Sequence, residues 1–435
     1  MCARGSAKLS RLCDTRAEEV GAARFFRNDK VTVTEILANA AARTAEAAAG
    51  RHVLLIEDTS EVNYQSKAGR KNGLGTVGNG TDIGLFVHPA LAVDAEDGTV
   101  LGLGWATIWR RYKTSEPNYK ALPIEEKESN RWIATVQMAR EWLKGARCLT
   151  VIADREGDIY ELFARVGGPY EDGPATHLIV RATHDRRLAD KGRLFAKIAA
   201  QHEAGQIAFE MVARPGRPAR EAVLAVRFGS VTLRRPRDGA GQKDPATLTL
   251  NLVQVSEIDP PSAKDAVVWR LLTTHTVCSL ADALGIVELY RRRWCVEQLF
   301  RSSKSKGFDI EDSLLADGDA LERLAAATLV AATKVMQLVQ GRDQAGRNYK
   351  AARLFAPLEI KIMYALLKTL EGKTAKQKNP QPPETLAWAA WCIARLGGWK
   401  GYSSNRSPGP NTFCRGLQRF NAIAEGFALA QQIQT

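Results

Sequence analysis

Residues 148–158 read Cys148-Leu-Thr-Val-Ile-Ala-Asp154-Arg-Glu-Gly-Asp158. The side chains before Asp154 are small or aliphatic, with β-branched Thr150, Val151 and Ile152 at the centre. Such a run suits a short strand buried on both faces. It stops at Asp154, turns near Gly157, and a helical pattern follows at once. Residues 52–58 repeat the design as His52-Val-Leu-Leu-Ile-Glu-Asp58. An acid at the end of a buried strand stands on rigid backbone and can reach a cleft. Taken singly, an aspartate in such a place is more often a turn former or helix cap.

Outward from these two strands, buried runs alternate with helical patterns, which is an α/β arrangement. Residues 31–49 are alanine-rich at helical spacing and end at Gly50. Residues 83–93 and 99–109 are apolar runs split by Asp94-Ala-Glu-Asp-Gly98 and read as an antiparallel hairpin. The basic, glycine-rich stretch 67–84 reads as a mobile loop. Its G-x-G-x-x-G match at 73–78 lacks the flanking strand and helix that a dinucleotide site needs. Residues 131–143 are helical and 177–181 extended. From 205 to 274 the texture changes to alternating strands between Gly/Pro-rich turns, a mostly β insertion. Ser279 and Asp282 form an N-cap pair for a long helix running to about residue 306. Helices over 321–340, 385–396 and 413–432 close the chain, with a basic proline-containing linker at 372–384. The divisions expected are 1–48 (an N-terminal helical region), 49–204 (core, first part), 205–274 (β insertion), 275–345 (core, second part) and 346–435 (a C-terminal helical domain); the resemblance given below implies that the first is truncated and that the last serves dimerisation.

Lysine and arginine number 61 against 48 acids, a net charge of +13, which points to a polyanionic partner. Arginine clusters recur at Arg110, Arg111 and Lys113; at Arg214, Arg217 and Arg220; at Arg234, Arg235 and Arg237; and at Arg291, Arg292 and Arg293. The seven cysteines are scattered with no C-x-x-C pair, so a zinc ribbon and a disulfide framework are not expected. The longest apolar stretch, between Arg323 and Lys334, is far short of the roughly 20 residues that span a bilayer. No signal peptide is visible at Met1. These features fit a reducing, cytoplasmic compartment and no membrane partner.

The segment 285–306 carries the chemistry. At 100° per residue, Tyr290, Arg293, Glu297, Arg301 and Lys304 fall within about 80° of arc, opposite Leu289, Val296, Leu299 and Phe300. One reading is a solvated face laced with the pairs Arg293–Glu297 and Glu297–Arg301. The other is a carboxylate held among cations that grip phosphates. One acid cannot hold two metals. Asp58 and Asp154 with Glu297 would make the ligand set of a two-metal nuclease, with hard oxygen donors for Mg2+.

The spacing Tyr290-x2-Arg293-x3-Glu297-x6-Lys304 resembles the Y-R-E-K signature of bacterial transposases of the insertion-sequence-four family. Ile56-Glu-Asp58-Thr59 and Asp154-Arg-Glu-Gly-Asp158-Ile159 resemble the segments bearing that family's two catalytic aspartates. The likeness covers roughly residues 20–400. It implies a ribonuclease-H-like mixed sheet flanked by helices, with a β insertion and a helical C-terminal region. It further implies cut-and-paste transposition using two Mg2+ or Mn2+ ions per site, held by Asp58, Asp154 and Glu297. The partners implied are double-stranded DNA, as transposon ends and target, and a second copy of the chain in a synaptic homodimer. Nicking, hairpin formation, hairpin opening and strand transfer would follow in sequence. Tyr290, Arg293, Arg301, Lys304 and Arg181 would contact DNA. Trp269 would stack on an extruded base, although a core tryptophan in its strand is the other reading.

Relatives carry several dozen residues of end-binding helices before the segment resembling Ala23-Arg-Phe-Phe-Arg-Asn28, whereas 22 residues precede Ala23 here. The alternative function is therefore a non-cutting, N-terminally truncated DNA-binding protein that inhibits full-length partners.

Overall fold

The computed structural model describes every residue except 113–118, 168–172, 212–217, 238–242, 263–264, 305–306, 343, 403–406 and 434–435. Lys113, Arg214, Arg217 and residue 306, the expected helix end, lie outside the described residues. In chain order the strands are β1 (His52–Glu57), β2 (Ser60–Asn63), β3 (Gly75–Val77), β4 (Asp82–Asp94), β5 (Val100–Trp109), β6 (Cys148–Ala153), β7 (Ala175–Arg181), β8 (Gly205–Met211), β9 (Arg220–Arg234), β10 (Thr247–Glu257) and β11 (Val268–Thr273). The chain forms two compact units. One comprises Ala49–Asp58 and Ser115–Trp294; the other comprises Met1–Ala48, Thr59–Thr114 and Cys295–Thr435.

In the first of these the strand order is β1-β6-β7-β11-β10-β9-β8. β1, β6 and β7 run parallel, with Ile56 beside Ile152 and Ala153 beside Val180. β11 pairs antiparallel with β7, and β8 to β10 extend the antiparallel half. Val53 to Ile56, and Val151 to Ala153, have no exposed surface. That burial is why their sequences are continuously apolar rather than alternating. The helix Tyr160–Val166 packs on β7 and on the helix Arg131–Trp142. The turn after β6 needs glycine: a Cβ on Gly157 would stand 2.5 Å from Ala153 Cβ and 3.3 Å from the buried Trp132 ring. The stretch 205–274 is the mostly β insertion expected from its texture.

In the other unit β4 pairs antiparallel with β2, β3 and β5. β4 and β5 are the expected hairpin. The helices Val33–Ala48 and Gly318–Gly341 both pack on β5. Close approach of the first requires Gly102, where a Cβ would lie 2.1 Å from Thr44 Oγ1. Gly318–Gly341 is long and apolar enough to cross a membrane by composition, yet it is mostly buried as a core helix. Leu386–Leu396 and Pro410–Ile433 complete a helical C-terminal region, together with Pro357–Leu370, which the sequence pattern did not reveal. The molecule is thus α/β, with mixed sheet flanked by helices, in keeping with a ribonuclease-H-like class.

Two expectations are corrected. The stretch 67–84 is not a loose loop. It contains the end of a 3-10 helix, Gln65–Arg70, and β3, and it is tied down by Lys67 Nζ donating to Asp312 Oδ1 at 2.8 Å and Lys71 Nζ to the Ser313 carbonyl at 2.8 Å. The helix expected over 285–306 is two helices, Leu280–Arg291 and Trp294–Ser303. Its first half ends in i→i−3 bonds, Arg292 N–H to Leu289 O and Arg293 N–H to Tyr290 O. These tighten the turn, so the 100° spacing assumed across 290–304 is lost.

Candidate active site

Asp58 follows the last residue of β1 and Asp154 the last residue of β6. Continuing the Ile56–Ile152 register by two residues sets Asp58 beside Asp154 on neighbouring strands, whose backbones lie about 4.8 Å apart. Continuing the Ala153–Val180 pair by one sets Asp154 beside Arg181. Both aspartates lie at the carboxyl ends of parallel strands, where α/β sheets place their ligands.

Side chains from the insertion and the helix Leu280–Arg291 join them. Asp58 Oδ2 accepts a hydrogen bond from Arg293 Nη1 at 3.2 Å, with both side chains under a fifth exposed. Asp154 Oδ1 accepts from the Glu156 N–H at 2.9 Å, capping the short turn. Tyr290 is buried rather than on a solvated face. Burial pushes its phenol up, while Arg293 and Arg181 pull it back, and Arg181 donates to its hydroxyl. Arg181 Nη2 also donates to the Val268 carbonyl at 3.1 Å. Trp269 meets Tyr290 in a T-shaped contact at 5.4 Å. Asp58, Asp154, Arg181, Trp269, Tyr290 and Arg293 therefore all belong to one unit.

Glu297, Arg301 and Lys304 belong to the other unit. Glu297 stands in the first turn of Trp294–Ser303. Arg301 lines a hollow of about 480 Å3 with Arg342, Met336 and Asn411. Lys304 Nζ lies 3.7 Å from Glu311 Oε1, which also accepts the Asn63 N–H. The chain passes between units right after Asp58 and again right before Cys295.

Residues 121–333 match a family described as the transposase DDE domain. That span, just under half of the chain, is similar to the transposase DDE domain. This domain's family consists of metal-dependent enzymes that cut DNA. The matched span takes in Asp154, Arg181, Trp269 and the whole 290–304 segment; Asp58 lies before it and enters through the β1–β6 register. The strand-end carboxylates of Asp58 and Asp154 are hard oxygen donors of the kind Mg2+ or Mn2+ takes. Among the described residues, no three His, Cys, Asp or Glu side chains are grouped closely enough to hold one ion.

The sequence reading missed four features of the unit that holds Asp58 and Asp154. Glu57, beside Asp58, is wholly buried; burial pushes its carboxyl well above the ordinary value, with Arg131 opposing. An acid closing an aliphatic run was the available signal. Asp158, in the same motif as Asp154, is a structural acid: its side chain has no exposure, accepts from the N–H groups of Thr183 and His184, and pairs with Arg186 at 2.7 Å. At the opposite end of the strands, His52 Nε2 lies 2.8 Å from Thr150 Oγ1, which lies 2.9 Å from His275 Nε2, and His177 stacks on His275 at 4.0 Å. Phe209 of β8 touches Trp269. The histidine and Phe209 contacts join residues distant in sequence and leave no local pattern.

Proposed function

We propose that this chain is a cut-and-paste DNA transposase of the insertion-sequence-four type, acting on transposon ends and target DNA. The observation that carries the reading is the parallel pairing of β1 with β6 up to Ile56–Ile152, two residues before Asp58 and Asp154, with the Arg293–Asp58 hydrogen bond and the Arg181–Tyr290 contact in the same unit. In this reading Asp58, Asp154 and Glu297 together hold two Mg2+ or Mn2+ ions. Such ions, when bound, lower the pKa of an attacking water or 3′-hydroxyl and stabilise the leaving oxygen.

Arg293 and Tyr290 would take phosphate oxygens beside Asp58, and Arg181 one beside Asp154, fixing the scissile strand for in-line attack. Arg301 and Lys304 would extend the grip along the backbone. Trp269 would stack on a base extruded while the hairpin forms, offsetting part of the unstacking cost by roughly 1–3 kcal/mol. The core would be residues 49–204 and 275–345, with 346–435 forming the contact between two copies in the synaptic complex.

The test is incubation of the purified chain with DNA carrying the inverted repeats that flank its gene, in Mg2+ or Mn2+. Nicks, hairpins and joined products that vanish with Asp58→Ala, Asp154→Ala and Glu297→Ala are expected. Binding of DNA ends without any cleavage would favour the non-cutting inhibitor.

A further inference from the structure

Phe209 lies on β8 and Trp269 on β11, with β9 and β10 between them in the sheet order. In a flat sheet, three strand spacings separate backbones by about 14 Å. Here the two ring centroids are 5.6 Å apart and the rings nearly perpendicular, at 88°. The insertion therefore curls, and it curls over the helix Leu280–Arg291. That helix packs on β9, β10 and β11, and a Cβ on Gly205 of β8 would meet Leu280 Cδ2 at 2.6 Å. At the other end of the helix the Arg291 guanidinium lies 4.3 Å from the Phe209 ring centroid and is itself paired with Glu288 at 2.9 Å. Trp269 is thus braced by two ring neighbours, Phe209 from the insertion and Tyr290 from the helix.

We propose that Phe209 is a positioning residue that fixes the Trp269 indole for base stacking. This rests on the stacking role given to Trp269 above. An indole on a strand turns about two side-chain bonds. Perpendicular rings packed against it remove that freedom before DNA arrives, so less ordering remains to be done on stacking. The outermost strand of the insertion thereby acts on the hairpin step without touching DNA through Phe209. Its loss should slow hairpin formation while leaving the first nick intact.

Two readouts on the full chain test this. In protein labelled with 5-fluorotryptophan, the 19F resonance of Trp269, assigned by its loss in Trp269→Phe, should shift and broaden in Phe209→Ala. It should return towards its original position in Phe209→Tyr. In end-cleavage assays, Phe209→Ala should lower the hairpin-to-nick ratio roughly 3- to 10-fold, and Phe209→Tyr should restore it. Phe209→Leu, which keeps apolar volume without a ring, guards against simple misfolding and should fall between the two. An unchanged Trp269 resonance in Phe209→Ala overturns the proposal. So does a normal hairpin ratio in Phe209→Ala when Trp269→Ala lowers it. If Trp269→Ala leaves the ratio unchanged while Phe209→Ala moves the resonance, the stacking role fails and the positioning contact stands.

Discussion

Arg293 Nη1 donates to Asp58 Oδ2 at 3.2 Å, joining residues 235 positions apart in the chain. The i→i−3 tightening after Leu289 sets Arg293 outside regular helix. Its guanidinium satisfies a half-buried aspartate, and in the proposed reaction the same group would meet phosphate. Arg293 therefore orients the Asp58 carboxylate through this hydrogen bond.

Replacing Arg293 by Gln should weaken DNA binding at all sequences and make the log–log salt slope shallower by about 0.9, the contribution of one phosphate contact. Cleavage should fall by at least about tenfold, since a charged contact to the reacting strand is lost. Arg293→Lys should keep the salt slope and recover only part of the cleavage. An unaltered slope in Arg293→Gln would remove Arg293 from the DNA-contacting set.

The two aspartates of the 154–158 motif should separate cleanly. Asp158→Asn leaves Arg186, only 9% exposed, without its charged partner, and should cost about 3 kcal/mol in urea unfolding. Asp154→Asn should leave unfolding nearly unchanged and abolish metal-dependent cleavage. Equal stability losses in both variants would contradict this division.

Gly157→Ala should destabilise the first unit by about 1–3 kcal/mol, because the new methyl has no room between Ala153 and Trp132. Ala153→Gly in the same chain should recover part of the loss, which a double-mutant unfolding cycle reads directly.

Stability should fall on acidification. Burial, with His177 and His52 adding to it, pushes the His275 imidazole from 6.5 down to about 3. The folded chain keeps His275 neutral while the unfolded chain takes up a proton below 6.5. The contribution is whole above that pH and is lost progressively as pH falls towards 3. Between pH 7 and pH 5 the loss from this one group should be about 2 kcal/mol. His275→Gln should flatten the dependence of the urea midpoint over that range.

The aliphatic runs before Asp58 and Asp154, the hairpin about Gly98 and the texture of the insertion were legible because each follows from local propensity and burial pattern. The break at Arg292 and Arg293 was not, because residues 285–306 keep an unbroken helical periodicity. Tyr290 read as one of a solvated set, yet it is buried against Trp269 and Arg181. Periodicity reports which residues share a face, not which partner covers it.

By itself, then, the amino-acid order determined the strands and most helices, the basic charge and the spacing of the acids. Those properties depend on neighbours along the chain. Tertiary structure alone decided that β1 runs parallel beside β6, that Arg293 pairs with Asp58, that Asp158 is structural, and that Phe209 reaches Trp269. These are consequences of parallel register and sheet curl, which bring together side chains from 25 to 235 positions apart only once distant strands have paired.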